Sequence, residues 1–219
     1  LYIVGPRGIK RALSAMMVLW EGLPYRLVVL EKPAGCFSIN SDILREIEIS
    51  TLDLDHSTEC LGYSLYFKRN REFDMDKALE NQVPKRLWRH LQADQTFYVD
   101  DVSYTPDMVL GKPRPGIKFS YITDTRPIDA IIPFIESSRL FVCEAMYGDD
   151  LDIGKAVKNK HMTFREAANL AYRGQVDQLL LTHFSPSLDS PSDYIENASS
   201  VFKNTSLAYD GISISIGYP

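Results

Sequence analysis

Titratable side chains that directly follow apolar strands are the residues of this sequence that could do chemistry. Asp124 follows the run Phe-Ser-Tyr-Ile-Thr, Glu144 follows Leu-Phe-Val-Cys, and His183 follows Leu-Leu-Leu-Thr. If these runs are parallel strands of one sheet, their carboxyl ends meet at one edge, where α/β proteins bind ligands. The pattern predicts that the three side chains converge on one rim.

Histidine is scarce, and its placement favours a metal site. Of the four histidines, His56 follows Leu-Asp-Leu-Asp at a strand end, His161 precedes a strong helix, and His183 lies on the predicted rim. Histidines at strand ends and in loops, beside carboxylates, suit zinc or manganese bound by nitrogen and oxygen ligands.

Each of these residues also has a purely structural interpretation. A strand-end histidine can simply be hydrogen-bonded, and Asp124 before Thr-Arg-Pro can cap a turn or a helix. Glu144 can form an ion pair with Arg126. Residue spacing alone leaves the two interpretations open.

The second half of the chain alternates strands and helices, which predicts an α/β domain with buried strands. The clearest helix is Thr163–Arg173, where Thr163 and Glu166 fit a capping box and Gly174 ends the helix. Its apolar residues recur at helical spacing. The other predicted helices begin near Ile9 and cover Asp74–Leu91, interrupted at Pro84, and Ile128–Glu136; residues 100–117 are predicted to be loop. The predicted strands are Leu1–Val4, Leu27–Leu30, Ile43–Leu54, Gly62–Lys68, Lys118–Ile122, Leu140–Cys143, Leu179–Leu181 and Ser213–Ile216.

Composition limits the classes of partner. The net charge of −5 provides no general basic field, so any RNA contact must come from a local patch. Residues 74–99 are a candidate arm, in which Lys85, Arg86 and Arg89 surround Trp88 and could contact phosphates and stack a base. Alternatively, this segment is a surface helix with Trp88 packed inward.

The cysteines and the apolar stretches bear on location. Three widely spaced cysteines imply no disulfide framework, and a reducing cytoplasm is the expected compartment. No apolar stretch is long enough to cross a membrane.

Eight short segments resemble the ribonuclease Z family, which processes the 3′ ends of tRNA and has the metallo-β-lactamase fold. They occur in the family's order over nearly the whole chain. The segments are Leu1–Ile9 (LYIVGPRGI), His56–Tyr63 (HSTECLGY), Tyr121–Pro127 (YITDTRP), Cys143–Met146 (CEAM), His161–Thr163 (HMT), Leu181–Pro186 (LTHFSP), Phe202–Thr205 (FKNT) and Ala208–Gly211 (AYDG).

The resemblance implies specific roles for five residues. His56 would bind one zinc ion, His183 a second, and Asp124 would bridge the two. Glu144 and His161 would not be ligands; they would help to protonate the leaving 3′ oxygen. The implied fold is an α/β metallo-β-lactamase fold, a β-sandwich flanked by helices, represented by its C-terminal portion.

The activity implied by the resemblance is zinc-dependent cleavage of the 3′ trailer from precursor tRNA, with a water activated by two metal ions. The same resemblance implies a cytoplasmic homodimer. One alternative is a hydrolase of this fold acting on small phosphodiesters or other esters, because Lys85-Arg86 stands where the family's arm often has Gly-Pro.

The family's His-x-His-x-Asp-His motif is absent from the 219 residues. A second alternative is therefore a non-catalytic half-domain with an incomplete metal site. Because the chain starts with Leu1 in the middle of a predicted strand, we expect residues 1–219 to be a single domain that is incomplete at its N-terminus, with the motif upstream.

Overall fold

The computed structural model describes residues 1–18, 22–31, 35–39 and 47–218. These residues form two compact units. The first contains Leu1–Phe67 and Ile117–Gly217, and the second contains mainly Lys68–Gly116. The predicted arm at residues 74–99 lies wholly within the second unit.

The strands of the described chain alternate with helices in its second half, as the sequence predicts. The strands are β1 (Tyr2–Gly5), β2 (Val28–Glu31), β3 (Gly35–Ile39), β4 (Ile47–Asp53), β5 (Leu61–Arg69), β6 (Phe97–Val99), β7 (Val102–Tyr104), β8 (Arg114–Ile122), β9 (Leu140–Glu144), β10 (Leu179–Thr182) and β11 (Thr205–Leu207). The helices are α1 (Ile9–Met17), α2 (Met75–Glu80), α3 (Lys85–Gln92), α4 (Ile131–Ile135), α5 (Ile153–Asn159), α6 (Phe164–Arg173) and α7 (Ile195–Ser199).

One mixed sheet of seven strands organises the first unit within the described residues. Its strand order is β11-β10-β9-β8-β5-β4-β3. Strands β8, β9, β10 and β11 are parallel to one another, with Ile122 opposite Cys143 and Thr182 opposite Glu144. Strands β3, β4 and β5 are antiparallel. The predicted parallel arrangement of β8, β9 and β10 is confirmed. Asp124, Glu144 and His183 therefore lie at the same edge of the sheet, where these strands have their carboxyl ends.

Helix α6 packs on this sheet as its sequence pattern predicts. The Thr163 side chain accepts a hydrogen bond from the Glu166 N–H, and the Glu166 carboxylate accepts one from the Thr163 N–H, which completes the capping box. The apolar face of α6 is buried in the main core together with strands β9 and β10. Gly174 ends the helix, and it must be small because a Cβ there would lie 2.6 Å from the Ile135 side chain.

The predicted last strand, Ser213–Ile216, is wrong. The last strand of the described chain is β11, and residues 213–216 have no regular secondary structure. Ile212, Ile214 and Ile216 instead pack against the buried side chains of Leu140 and Leu180. The apolar residues alternate because one side of the segment is buried, and such burial does not require the backbone to pair with another strand.

The predicted loop at residues 100–117 is also partly wrong. It contains β7, a short 3₁₀ helix at Pro106–Met108 and the start of β8. Strands β6 and β7 form a hairpin whose two turn residues, Asp100 and Asp101, both have positive φ, as a tight hairpin turn requires. Two consecutive aspartates therefore form a turn between strands rather than part of a long loop. Of the strand predicted at Ile43–Leu54, residues 43–46 lie outside the described ranges.

The second unit has its own small core. Asp74 caps α2 and Pro84 precedes α3, so the helix predicted at Asp74–Leu91 is interrupted where expected. Leu87 and Leu91 of α3 are buried together with Val83. Within the ranges described above, no helix combines the length and apolarity needed to span a bilayer.

Candidate metal centre

Three side chains with metal-ligand chemistry leave the ends of strands at one edge of the main sheet. His56 lies three residues after β4, Asp124 two residues after β8, and His183 directly after β10. Asp124 and His183 both have left-handed backbone conformations, with φ of 56° and 59°. This conformation is uncommon for residues other than glycine, but aspartate and histidine adopt it more readily than most. It also occurs at the exposed turn residues Asp100 and Asp101, so it does not by itself mark Asp124 and His183 as functional.

The predicted site residues are brought within ligand distance of one another. His56, Asp124 and His161 each offer a ligand atom within 4.8 Å of the others, and so do Glu144, His161 and His183. The His161 ring is close to both other imidazoles, with ring centroids 5.0 Å from His56 and 5.4 Å from His183. Imidazole and carboxylate groups gathered in this way are the donor set that zinc prefers.

His183 supplies the test of whether a metal fits. Its Nε2 lies 3.5 Å from Asp124 Oδ1, and its buried Nδ1 has no hydrogen-bond partner in the described part of the chain. Two ligands on one tetrahedral zinc ion, each about 2.0–2.1 Å from it, lie roughly 3.4 Å apart. The spacing of His183 and Asp124 is therefore that of two ligands sharing one ion, and the residues fit a metal.

His56 is oriented by the loop that precedes His161. Its Nδ1 lies 3.2 Å from the Lys160 carbonyl oxygen, which can only accept a hydrogen bond. The Lys160 ammonium in turn donates to the Asp55 carboxylate at 2.7 Å and to the His56 carbonyl at 3.3 Å. With the proton on Nδ1, the lone pair of Nε2 remains available to a cation.

Glu144 is completely buried, and its oxygens are already engaged. It accepts hydrogen bonds from the Thr125 N–H at 2.6 Å and the Met162 N–H at 3.2 Å, and both oxygens lie within 3.2 Å of His161 Nδ1. These contacts favour a role for Glu144 as the partner of His161 over a role as a ligand.

Burial sets the protonation of this pair. Desolvation raises the pKa of Glu144 to about 7, despite the two backbone N–H groups that oppose the rise. Desolvation, followed by the nearby His56, lowers the pKa of His161. Both shifts favour an uncharged pair near neutral pH. If the Glu144 carboxyl holds its proton toward Nδ1, then Nε2 carries the N–H that could be donated to a ligand.

The raised pKa predicts how the Glu144→Gln variant responds to pH. The folded protein binds the Glu144 proton more tightly than the unfolded chain does. Proton binding therefore adds to the free energy of unfolding of the wild type, and this contribution is fully present below the usual pKa of 4.5. It is lost as the pH rises through about 7. The change amounts to about 3 kcal/mol at most. Glutamine does not titrate, so we expect its melting temperature relative to wild type to rise by roughly 6–10 °C between acidic and alkaline buffer.

Thermal unfolding in the presence of a chelator measures this difference without bound metal. Glu80→Gln is the matched control, because Glu80 is exposed on α2. If the difference in melting temperature between wild type and Glu144→Gln stays constant with pH, Glu144 does not titrate in this range.

Comparison with known proteins identifies the family. No profile of a protein family matches the chain. The ribonuclease Z of Clostridioides difficile is 59% identical over 218 residues, which cover 100% of this chain and 72% of that protein. The chain belongs to the ribonuclease Z family. The family predicted from the sequence is therefore confirmed, and its members are hydrolytic endoribonucleases.

Solved structures confirm the fold of this ribonuclease Z family member. Human tRNase Z, short form, superposes with a TM-score of 0.62 and 19% identity over 99% of this chain and 68% of its own. The metallo-β-lactamase fold protein YhfI of Bacillus subtilis superposes with a TM-score of 0.60 and 16% identity over 97% of this chain and 64% of its own. The α/β metallo-β-lactamase fold predicted from the sequence is correct.

The predicted RNA-binding residues lie on α3, in the second unit. Lys85, Arg86 and Arg89 are exposed, whereas Trp88 is partly buried. The Trp88 indole N–H donates to the Val83 carbonyl at 2.9 Å, and its ring packs against Phe73 with centroids 5.1 Å apart. These contacts favour the inward-packed alternative for Trp88. The Lys85 ammonium lies over the Trp88 ring, 5.8 Å from its centroid, and Lys85, Arg86 and Arg89 are all exposed to solvent.

Two residues to which the sequence analysis assigned no role in the metal centre are built into the site: Arg126 and Lys160. The ion pair considered between Arg126 and Glu144 does not occur; Arg126 pairs with Glu166 instead. Lys160 holds the His56 loop, and no sequence signal marks it. Arg126 could have been recognised from its place in the Asp-Thr-Arg-Pro string, two residues after Asp124.

Proposed function

We propose that this protein is a zinc-dependent endoribonuclease that removes the 3′ trailer from precursor tRNA, acting in the cytoplasm as a homodimer. The observation that carries the proposal is that Asp124 lies within 4.8 Å of His56 and 3.5 Å from His183, beside a Glu144–His161 pair, in a member of the ribonuclease Z family. The dimer and the compartment follow from the family resemblance.

The chain's own residues divide into two sets with different chemistry. His56 and His183 would each hold one zinc ion, and the Asp124 carboxylate has two oxygens with which to contact both. When bound, zinc supplies Lewis acidity that activates a water and offsets negative charge on the phosphate. His161 would deliver a proton from Nε2 to the leaving 3′ oxygen, while the Glu144 carboxyl passes its own proton to Nδ1, so that the imidazole stays neutral and Glu144 becomes a carboxylate.

Substrate preference distinguishes this proposal from hydrolysis of small phosphodiesters. We would compare single-turnover cleavage of a precursor tRNA with that of bis(p-nitrophenyl) phosphate and of a mature tRNA without a trailer. Efficient cleavage of the precursor alone, at the trailer junction, is the expected result. Equal or better turnover of the small phosphodiester, with no cut at the junction, would favour the small-substrate hydrolase.

The exposed cations of α3 are proposed to contact the tRNA backbone. Replacing Lys85, Arg86 and Arg89 together with alanine is expected to weaken precursor-tRNA binding and to reduce its salt dependence. The slope of log K against log salt should fall by about 2–3, because each lost phosphate contact removes a little less than one released counterion. Filter binding at several salt concentrations measures this slope.

A matched variant controls for net charge. Lys158, Arg173 and Lys203 are exposed cations elsewhere in the chain, and their replacement with alanine changes the net charge equally. If both triple variants lower the slope to the same extent, α3 has no special role. Hydrolysis of bis(p-nitrophenyl) phosphate should be unchanged in both variants, since neither alters the metal centre.

A further inference from the structure

Arg126 connects the loop that carries Asp124 to the segment that carries His161. Its Nη1 donates to the His161 carbonyl at 2.5 Å and to Glu166 Oε2 at 2.9 Å, and its Nη2 donates to Glu166 Oε1. The side chains of Arg126 and Glu166 are only 17% and 20% exposed. A bidentate, largely buried guanidinium–carboxylate pair is geometrically specific as well as strong.

The Glu166 end of this connection is held by the capping box of α6. Glu166 is the third residue of that helix, and its Oε2 also accepts a hydrogen bond from the N–H of the N-cap residue Thr163 at 2.9 Å. The Arg126 N–H donates to the Asp55 carbonyl at 3.1 Å, which ties the same turn to the loop that carries His56. Arg126 therefore lies where the loops of two predicted ligands meet the start of α6.

The main chain at His161 is held at three points. The His161 N–H donates to the Ala156 carbonyl at 3.0 Å, the next N–H donates to Glu144, and the His161 carbonyl accepts from Arg126. Two of these bonds link the segment to the Asp124 turn: Glu144 also accepts the Thr125 N–H, and Arg126 belongs to the turn itself. A proton donor must stay within hydrogen-bond distance of the leaving atom, so a shift of this segment would reduce proton transfer.

We propose that Arg126 is a positioning residue that holds His161 in place for proton delivery to the leaving oxygen. The inference rests on the proton-donor role assigned to His161 under the proposed function. The paired residue is Glu166, which thus both caps α6 and anchors Arg126.

Leaving-group dependence tests this role. Departure of a ribose 3′ oxygen needs a proton, whereas p-nitrophenolate leaves as a stable anion. Arg126→Lys keeps the positive charge but loses the fork that contacts Glu166 and the His161 carbonyl. We expect it to slow single-turnover cleavage of precursor tRNA about 100-fold. Hydrolysis of bis(p-nitrophenyl) phosphate should change less than about threefold, because it does not need the general acid.

Two further variants protect the test against misfolding. Glutamine can also complete a capping box, so Glu166→Gln keeps the cap of α6 but lacks the charge that pairs with Arg126. It should show the same substrate pattern with a smaller loss. Arg165→Ala, on the same helix turn, removes an ion pair with Asp150 and should leave both reactions unchanged. Metal content of every variant should match that of wild type.

His161→Asn, alone and combined with Arg126→Lys, separates the possible failures. If Arg126 acts through His161, the double variant should be little slower on precursor tRNA than His161→Asn alone. Additive losses, or equal losses on both substrates for Arg126→Lys, would overturn the positioning role while leaving His161 as the donor. If His161→Asn itself affects both substrates equally, the proton-donor assignment fails, and the role of Arg126 fails with it.

Discussion

Asp124→Asn is expected to lower single-turnover cleavage of precursor tRNA by about three orders of magnitude or more in the active enzyme. The substitution removes the one negative charge proposed to contact both zinc ions, and the loss of several kcal/mol of transition-state stabilisation corresponds to a rate change of this size. Elemental mass spectrometry should show less bound metal per chain than in wild type.

Asparagine is the appropriate replacement because Asp124 has a φ of 56°. Asparagine tolerates the left-handed conformation well, so the backbone of the turn should be retained. Asp101→Asn is the matched control: Asp101 also has a positive φ, of 61°, and lies in the exposed turn between β6 and β7. Its activity and metal content should equal those of wild type.

His183→Asn tests the second proposed zinc ion. Asparagine is again the appropriate replacement because His183 also has a positive φ. It should reduce metal content and cleavage together. Cleavage and metal content that both stay near wild-type values in Asp124→Asn or His183→Asn would show that the convergent edge of the sheet is not the metal centre.

The edge of the sheet that gathers these residues was predictable from the sequence, for a simple physical reason. Strands β9 and β10 are buried, nearly continuous apolar runs, so the first titratable residue after each run marks its carboxyl end; β8 is less apolar, and its Tyr121 is exposed. The parallel pairing of β8, β9 and β10 then brings Asp124, Glu144 and His183 together. The capping box of α6 was equally local, since Thr163 and Glu166 are only three residues apart.

The contacts between distant loops could not be predicted in this way. Lys160 reaches the Asp55–His56 loop across more than 100 residues of sequence, and Arg126 reaches Glu166 across 40. Such contacts depend on tertiary structure, including the packing of α6 against the sheet, which the spacing of apolar residues along the sequence does not reveal. The alternation at Ile212–Ile216 was misleading for a related reason, because it reports burial and carries no information about the hydrogen-bond partner of the backbone.

Glu144→Ala is expected to lower the free energy of unfolding by about 3–5 kcal/mol, a large fraction of the stability of a typical domain. Glu144 is the acceptor for the N–H groups of Thr125 and Met162, and it is the partner of His161. Alanine leaves these buried donors unpaired, and each unpaired donor costs about 1–3 kcal/mol. Urea unfolding near pH 6 with a chelator measures the loss under conditions where the wild-type carboxyl is mostly uncharged.

Glu144→Gln distinguishes the loss of an acceptor from the loss of a charge. Its amide oxygen still accepts one hydrogen bond, so it should lose less than half as much stability as Glu144→Ala at the same pH. Equal and small losses, under about 1 kcal/mol for both variants, would mean that water can replace the carboxyl. The two variants should differ in stability because one buried carboxyl accepts hydrogen bonds both from the turn after β8, at Thr125, and from the segment before α6, at Met162. The oxygens of Glu144 that support the proposed proton donor therefore also stabilise the fold around it.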